Sequence, residues 1–125
     1  MFNLLLVMLG GAIGAGGRHL VGKATLLWFG PGYPWGTLSA NIIGGFVMGL
    51  LAGTLARTSL GGENIRLFIG VGMLGGFTTF SSFSLDAINM LERGDWITGI
   101  GYVLVSVIGS LLALTLGLGF VRAVA

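Results

Sequence analysis

The sequence predicts an all-α integral membrane protein with four transmembrane helices per subunit, because charge is sparse, hydropathy is high and long apolar windows separate the charged residues. Only 8% of the 125 residues are charged and 54% are hydrophobic, and the mean hydropathy is +1.00. A soluble domain carries about 25% charged residues, so this chain lacks the charge to cover a surface in water. The 25 glycines follow no three-residue period and there are two prolines, which excludes collagen and low-complexity disorder.

Four windows without Asp, Glu, Lys or Arg predict the spans: residues 1–17, 35–56, 67–85 and 96–121. A helix needs about 20 apolar residues to cross the hydrocarbon core, and the first window reaches this length if Arg18 extends its charged end outward. We therefore place the spans approximately at residues 2–21, 35–56, 66–91 with a break near 75–79, and 96–121. Trp28, Trp35 and Trp96 lie beside window ends, as in an interfacial aromatic belt.

The linkers between these spans are short, so residues 1–125 are predicted to form a single domain. The first linker covers residues 18–34 and includes the Gly- and Pro-rich segment 30–34, which is typical of a turn.

The basic residues give no orientation signal. Arg57, Arg66 and Arg122 belong to one side of a four-span protein, and the other side also carries three, Arg18, Lys23 and Arg93. Because Lys and Arg near span ends normally set orientation, the even distribution permits insertion both ways and an antiparallel homodimer. The alternative is that other factors set one topology.

The missing residue types exclude several chemistries. The chain contains no cysteine and a single histidine, His19, so it has no thiolate nucleophile, disulfide or cysteine zinc site. The net charge of +2 is spread along the chain without a Lys/Arg cluster, so no nucleic-acid partner is expected.

Polar side chains inside the spans fall on two helical faces. Thr37 and Asn41 are spaced i, i+4, and Tyr102, Ser106 and Ser110 continue that spacing over three residues. One interpretation is hydrogen bonding between helices, and the other is a polar track through the membrane. The windows contain no carboxylate, and hydroxyl and amide donors favour a small anion or a neutral solute over a cation.

The third span is a poor helix, because Gly, Ser and Thr fill the segment Gly75–Ser84. Broken backbone at membrane depth survives only inside protein or beside a cavity, and its freed carbonyl oxygens suit an alkali cation. Phe80 and Phe83 share a face at i, i+3, where they pack or turn positive ring edges toward an anion. Glycines spaced by four, such as Gly10 and Gly14, predict close helix packing and a dimer.

Three motifs resemble those of the Fluc/CrcB fluoride channels, in the same order and along essentially the whole chain: residues 10–18 (GGAIGAGGR), 36–44 (GTLSANIIG) and 75–84 (GGFTTFSSFS). Ser82 departs from the family's usual threonine but keeps the hydroxyl. The resemblance implies a passive fluoride channel rather than an enzyme, in a multi-pass cell-membrane protein that forms an antiparallel dual-topology homodimer with two pores.

The resemblance also implies roles for single residues. Asn41 corresponds to the pore asparagine, and Phe80 and Phe83 to the phenylalanines whose ring edges approach fluoride. Backbone carbonyls of Gly75 and Thr78 correspond to ligands of a structural Na⁺ at the dimer interface. The remaining correspondences are a vestibule arginine and polar lining residues, at Arg18, Thr37, Ser81, Tyr102, Ser106 and Ser110. The alternatives are a four-span drug/proton antiporter, disfavoured without an intramembrane carboxylate, and a membrane scaffold without transport.

Overall fold

The computed structural model describes residues 1–58 and 62–124, which fold into helices without a strand among them. The helices are α1 (Phe2–Phe29), α2 (Trp35–Arg57), α3 (residues 62–77), α4 (Phe80–Glu92) and α5 (Trp96–Val124). Together α3 and α4 form the third span, Gly62–Glu92, and all four spans are long and apolar enough to cross a membrane. The predicted four-helix fold is confirmed. Residues 59–61 and 125 of the predicted single domain lie outside the described residues.

Helix α1 is longer than the predicted first span. It continues through Arg18 and Lys23 and ends at Gly30, whose φ of 80° lies in the left-handed region that favours glycine. The Gly30 N–H donates to Leu26 O at 2.9 Å. No helix-breaking residue other than glycine precedes the Gly30–Pro31 pair, so basic side chains alone do not end the helix. The connection to α2 is the five-residue segment 30–34, and residues 18–29 belong to the helix.

The predicted break in the third span is present, and two threonines form it. Thr78 (φ −86°, ψ 159°) and Thr79 (φ −152°, ψ 128°) are extended, whereas Gly75 keeps helical angles of −62° and −39°. The Thr79 hydroxyl accepts the Ser82 N–H at 3.1 Å and caps α4. A π-helical stretch, Arg66–Leu74, precedes the break. The break therefore lies at the C-terminal end of the predicted segment 75–79.

Glycines allow two pairs of helices within the subunit, α1 with α3 and α2 with α5, to pack in backbone contact. A Cβ on Gly14 of α1 would overlap the carbonyl of Met73 in α3, and a Cβ on Gly72 would lie 3.0 Å from Gly10 Cα. Gly49 of α2 stands likewise against the backbone of α5. The predicted packing role is confirmed, but these glycines pair helices within the subunit. They therefore do not by themselves require a dimer.

Candidate functional site

A two-point hydrogen bond spans the break between α3 and α4. Asn41 Nδ2 on α2 donates to Thr79 O at 3.0 Å, and the Thr79 N–H donates to Asn41 Oδ1 at 2.8 Å. An unpaired backbone group in lipid costs several kcal/mol, so this amide replaces the helical partners that the break removes. One of the two Nδ2 protons is used in this bond, and the other stays available to a ligand.

A groove of about 500 Å³ lies beside the break and collects most of the predicted site residues. Its lining includes Asn41, Phe80, Phe83, Ser106 and Ser110, together with Gly75 and Thr78. These residues come from three spans, α2, α3–α4 and α5. The fold therefore gathers the polar stripes of α2 and α5 around the broken segment.

Ser106 stands out in this groove because its hydroxyl is buried without a partner. The side chain is 5% exposed, and among the described residues its Oγ has no hydrogen-bond partner. A buried hydroxyl left unpaired costs about 1–3 kcal/mol. Such a group is a donor held ready for a ligand in the groove.

The variant Ser106→Ala is expected to unfold at a temperature equal to or above that of the wild type, because it removes an unpaired buried hydroxyl at no loss of protein hydrogen bonds. Solute flux through the groove is expected to fall about tenfold, equivalent to about 1.4 kcal/mol. Thermal unfolding and vesicle flux measured on the same preparation check both. The control is Ser84→Ala, whose hydroxyl already donates to Phe80 O. An unchanged flux in Ser106→Ala would contradict the assignment.

Three aromatic rings continue from the groove into the protein. The Phe80 and Phe83 ring centroids are 5.6 Å apart, and those of Phe83 and Tyr102 are 5.4 Å apart. Phe83 is 9% exposed and Tyr102 is fully buried, whereas Phe80 is 78% exposed at the surface of the single subunit. Phe80 therefore presents its ring to whatever lies against this face of α4.

A second cavity of about 650 Å³, here named the vestibule, is lined by Arg18, His19, Lys23, Thr37 and Asp86 among others. Thr37 precedes Asn41 by four residues, about 6 Å along α2 at 1.5 Å per residue, so α2 leads from the vestibule to the groove. Arg18 lines this cavity, and its Nε donates to Gly76 O at 3.1 Å. The guanidinium therefore also holds α3 next to the break.

Asp86 lines the vestibule and was not among the predicted site residues. It directly follows the third apolar window, residues 67–85, and lies within the predicted span 66–91, where α4 continues past it to Glu92. Tyr102 Oη donates to Asp86 Oδ2 at 3.1 Å. The i, i+3 spacing from Phe83 was the available signal, because it puts the carboxyl on the same face of α4. The hydrogen bond ties the fully buried Tyr102 to the vestibule wall.

The break also alters the backbone around Gly75. In a continuous helix the Gly75 carbonyl would accept the N–H of Thr79, but that N–H donates to Asn41. Gly75 is exposed on the outside of the subunit, and Thr78 is extended. Carbonyl oxygens in this setting are hard ligands that fit an alkali cation.

Ser81 is a predicted site residue that lies outside both cavities. It is exposed and lines neither the groove nor the vestibule as the described residues form them, although its Oγ lies 3.3 Å from Thr79 Oγ1. Tyr102 also lies behind the cavity walls, since it is fully buried. The structure thus brings Asn41, Phe80, Phe83, Ser106 and Ser110 together directly.

Comparison with known proteins places this architecture in a family. The family model described as "CrcB-like protein, Camphor Resistance (CrcB)" matches residues 5–118. The chain belongs to the CrcB family. Curated relatives match it along nearly their full length. The Fluoride-specific ion channel FluC of Sphingopyxis alaskensis is 58% identical over 122 residues, 98% of this chain and 97% of its own.

Other relatives of this CrcB chain carry the same name. The Fluoride-specific ion channel FluC of Mesorhizobium japonicum is 54% identical over 122 residues, 98% of each chain. That of Rhizobium leguminosarum is 48% identical over 125 residues, the whole of both chains. The family resemblance predicted from the motifs is confirmed, and the CrcB chain is a multi-pass membrane protein.

These relatives give no support to the antiporter alternative. One ground against it was the absence of a carboxylate within the spans, and the position of Asp86 removes that ground. The family relationship is instead the argument against an antiporter, because the matching relatives are named as ion channels and not as exchangers.

Proposed function

We propose that this protein is a passive, selective fluoride channel that exports cytoplasmic fluoride and so gives fluoride resistance. The observation that carries the proposal is the groove beside the broken span, where the Asn41 amide, the Ser106 hydroxyl and the phenyl rings of Phe80 and Phe83 meet. The amide and the hydroxyl offer hydrogen-bond donors to an anion, and the phenyl rings offer their positive edges. No carboxylate lines the groove as the described residues form it. The names of the relatives point to the same ion.

Fluoride enters from the vestibule, where Arg18 and Lys23 attract anions. It then passes one helical turn along α2, from the Thr37 hydroxyl to the second Nδ2 proton of Asn41. In the groove the hydroxyls of Ser106 and Ser110 and the edges of the phenyl rings replace its water. Aromatic edges carry the positive end of the ring quadrupole, so they stabilise an anion without donating a formal hydrogen bond.

Asp86 is compatible with an anion path because Tyr102 holds it. The Tyr102 hydroxyl donates to the carboxylate, which keeps the negative charge on the vestibule side and away from the groove. The charge shares the vestibule with two basic side chains of α1, Arg18 and Lys23.

Selectivity follows from the cost of removing water from the ion. Moving an ion into a low-dielectric site costs many kcal/mol unless close partners replace its water, and the groove is lined mainly by apolar atoms with few donors. Hydrogen-bond donors that are spaced for a small anion do not fit the larger chloride equally well. Fluoride is therefore favoured where donors and ring edges converge at the break.

The driving force is the membrane potential, worth about 2.3 kcal/mol per charge for each 100 mV. Hydrofluoric acid is a weak acid that crosses the membrane neutral and dissociates in a less acidic cytoplasm. A passive pore lets the inside-negative potential expel the trapped anion, and it requires no coupled proton.

Fluoride-loaded liposomes test this function. With a potassium gradient, valinomycin alone is expected to release fluoride from vesicles that contain the protein, at a rate far above protein-free vesicles. Release that requires a protonophore would instead indicate proton coupling. Release no faster than from protein-free vesicles would contradict the channel.

The functional unit is an antiparallel dual-topology homodimer with two pores. It is supported by the even distribution of basic residues, three on each side, and by Phe80, whose ring is 78% exposed on a lone subunit and would be covered by a partner. A tag at the C-terminus tests the topology. Labelling from both sides of the cell membrane is expected, and labelling from one side would contradict it.

A structural Na⁺ at the dimer interface would be held by the backbone carbonyls of Gly75 and Thr78 from each subunit. The exposed position of Gly75 and the loss of its helical N–H partner fit such a ligand set. The cation would tie the two broken spans together, and the permeating species remains fluoride.

Replacing Na⁺ by N-methylglucamine in the purification buffer is expected to lower the unfolding temperature of the detergent-solubilised protein, because a ligand that binds only the native state stabilises it. Choline serves as a second bulky replacement. Identical unfolding temperatures with and without Na⁺ would contradict a structural sodium.

A further inference from the structure

Tyr33 lies in the five-residue connection between α1 and α2, and its ring contacts the aromatic rings behind the groove. The Tyr33 ring meets that of Tyr102 edge-on, with centroids 5.5 Å apart and an angle of 90°. On its other side the Trp35 ring centroid is 4.8 Å away. Tyr33 is half-buried and packs against the buried cluster that contains Phe83 and Tyr102. The aromatic contacts thus run from the connection to the groove.

The connection holds this ring in one place. The Trp35 N–H donates to Tyr33 O at 2.8 Å, and prolines at 31 and 34 restrict the backbone on either side. Burial raises the pKa of the Tyr33 phenol above its ordinary value, so the side chain is uncharged at neutral pH.

Two cavities meet at Tyr33. One is the vestibule, and the other is a cleft of about 230 Å³, here named the outer cleft, which Asn89 and Arg93 line. Four residues line both: Pro31, Tyr33, Pro34 and Asp86. Tyr33 therefore forms part of a wall with the anion path on one side and a second polar opening on the other, and Asp86 is reached from each.

We infer that Tyr33 is a positioning residue of the permeation path, which fixes the Tyr102 ring and closes the vestibule against the outer cleft. The inference rests on the proposed fluoride channel. Without the Tyr33 ring, the outer cleft and the vestibule join beside Asp86, and the Tyr102 ring loses its edge-on neighbour. With the Tyr33 ring in place, as in the wild type, anions enter only through the vestibule, past the basic side chains of α1.

A negative charge placed in the outer cleft tests this separation. The chain contains no cysteine, so Asn89→Cys gives a single thiol in the cleft, which a negatively charged sulfonatoethyl methanethiosulfonate modifies. In the Asn89→Cys protein with Tyr33 intact, modification is expected to leave fluoride efflux unchanged. With Tyr33→Ala added, modification is expected to lower efflux about tenfold, because the charge then repels anions in the vestibule.

Two controls and a substitute variant keep the test decisive. Tyr33→Phe keeps the ring and is expected to restore insensitivity to modification, and a neutral methyl reagent is expected to have no effect in either background. If Tyr33→Ala fails to fold, Tyr33→Leu takes its place. An equal effect of the charged reagent with and without the Tyr33 ring would overturn the inference. Failure of the proposed function is distinct from this, because the unmodified wild type would then release no fluoride.

Discussion

Asn41→Asp is expected to lower fluoride flux at least about 100-fold, because a fixed negative charge at this half-buried position of the groove repels the permeating anion, and each tenfold in rate corresponds to about 1.4 kcal/mol. The Nδ2 group that donates to Thr79 O is replaced by an oxygen at the same 3.0 Å separation, so two acceptors face each other. The substitution also removes the donor proposed for fluoride and puts a negative charge in the groove. Efflux from liposomes at constant protein amount measures the loss.

The matched control is Asn64→Asp, the same chemical change at an exposed position near the start of α3. It is expected to leave flux and yield unchanged. Wild-type flux in Asn41→Asp would contradict the role of Asn41 in both the break and the path. A protein that folds but does not conduct would separate the role in conduction from the role in folding.

Gly14→Ala is expected to prevent assembly of the folded channel, because the added methyl group would overlap the Met73 carbonyl and lies close to the backbone N of Phe77. Backbone atoms cannot move aside as a flexible side chain does, so α1 and α3 must separate. Forcing extra volume into a packed site costs about 1–3 kcal/mol and sometimes more. Because α3 leads directly into the break, the separation also displaces the segment that Asn41 holds. Size-exclusion yield and unfolding temperature measure the effect.

Gly16→Ala, two residues along the same helix, is the control, since nothing lies within 4 Å of its added Cβ. Alanine has the higher helix propensity, so this variant is expected to be as stable as the wild type or slightly more stable. Equal losses in the two variants would contradict a packing role that is specific to Gly14.

The sequence was sufficient for the four spans and for the broken third one. Apolar windows bounded by charged residues indicate membrane spans, because a charge at the centre of a bilayer is energetically costly. The polar stripes at 37 and 41 and at 102, 106 and 110 follow from helical periodicity alone. Their meeting in one groove required the fold, because it depends on how α2 and α5 pack.

Other features depend on contacts that have no local signature. The bond between Asn41 and Thr79 joins residues 38 positions apart, and no spacing rule predicts it. Asp86 bounds the third apolar window but lies within the predicted span 66–91, and its hydrogen bond from Tyr102 joins residues 16 positions apart. Arg18 likewise lies within the predicted span 2–21, and its Nε donates to Gly76 O, 58 positions away. In each case the partner is distant in sequence, and no local pattern indicates it.

The most direct test of the central claim compares fluoride with chloride in the same vesicles. Liposomes containing the wild-type protein are loaded with equal concentrations of the two potassium salts, and valinomycin starts the efflux while ion-selective electrodes follow each anion. Rapid loss of fluoride with chloride retained as in protein-free vesicles is the predicted result. Efflux of both anions at equal rates, or of neither, would contradict a fluoride-selective path at the broken span.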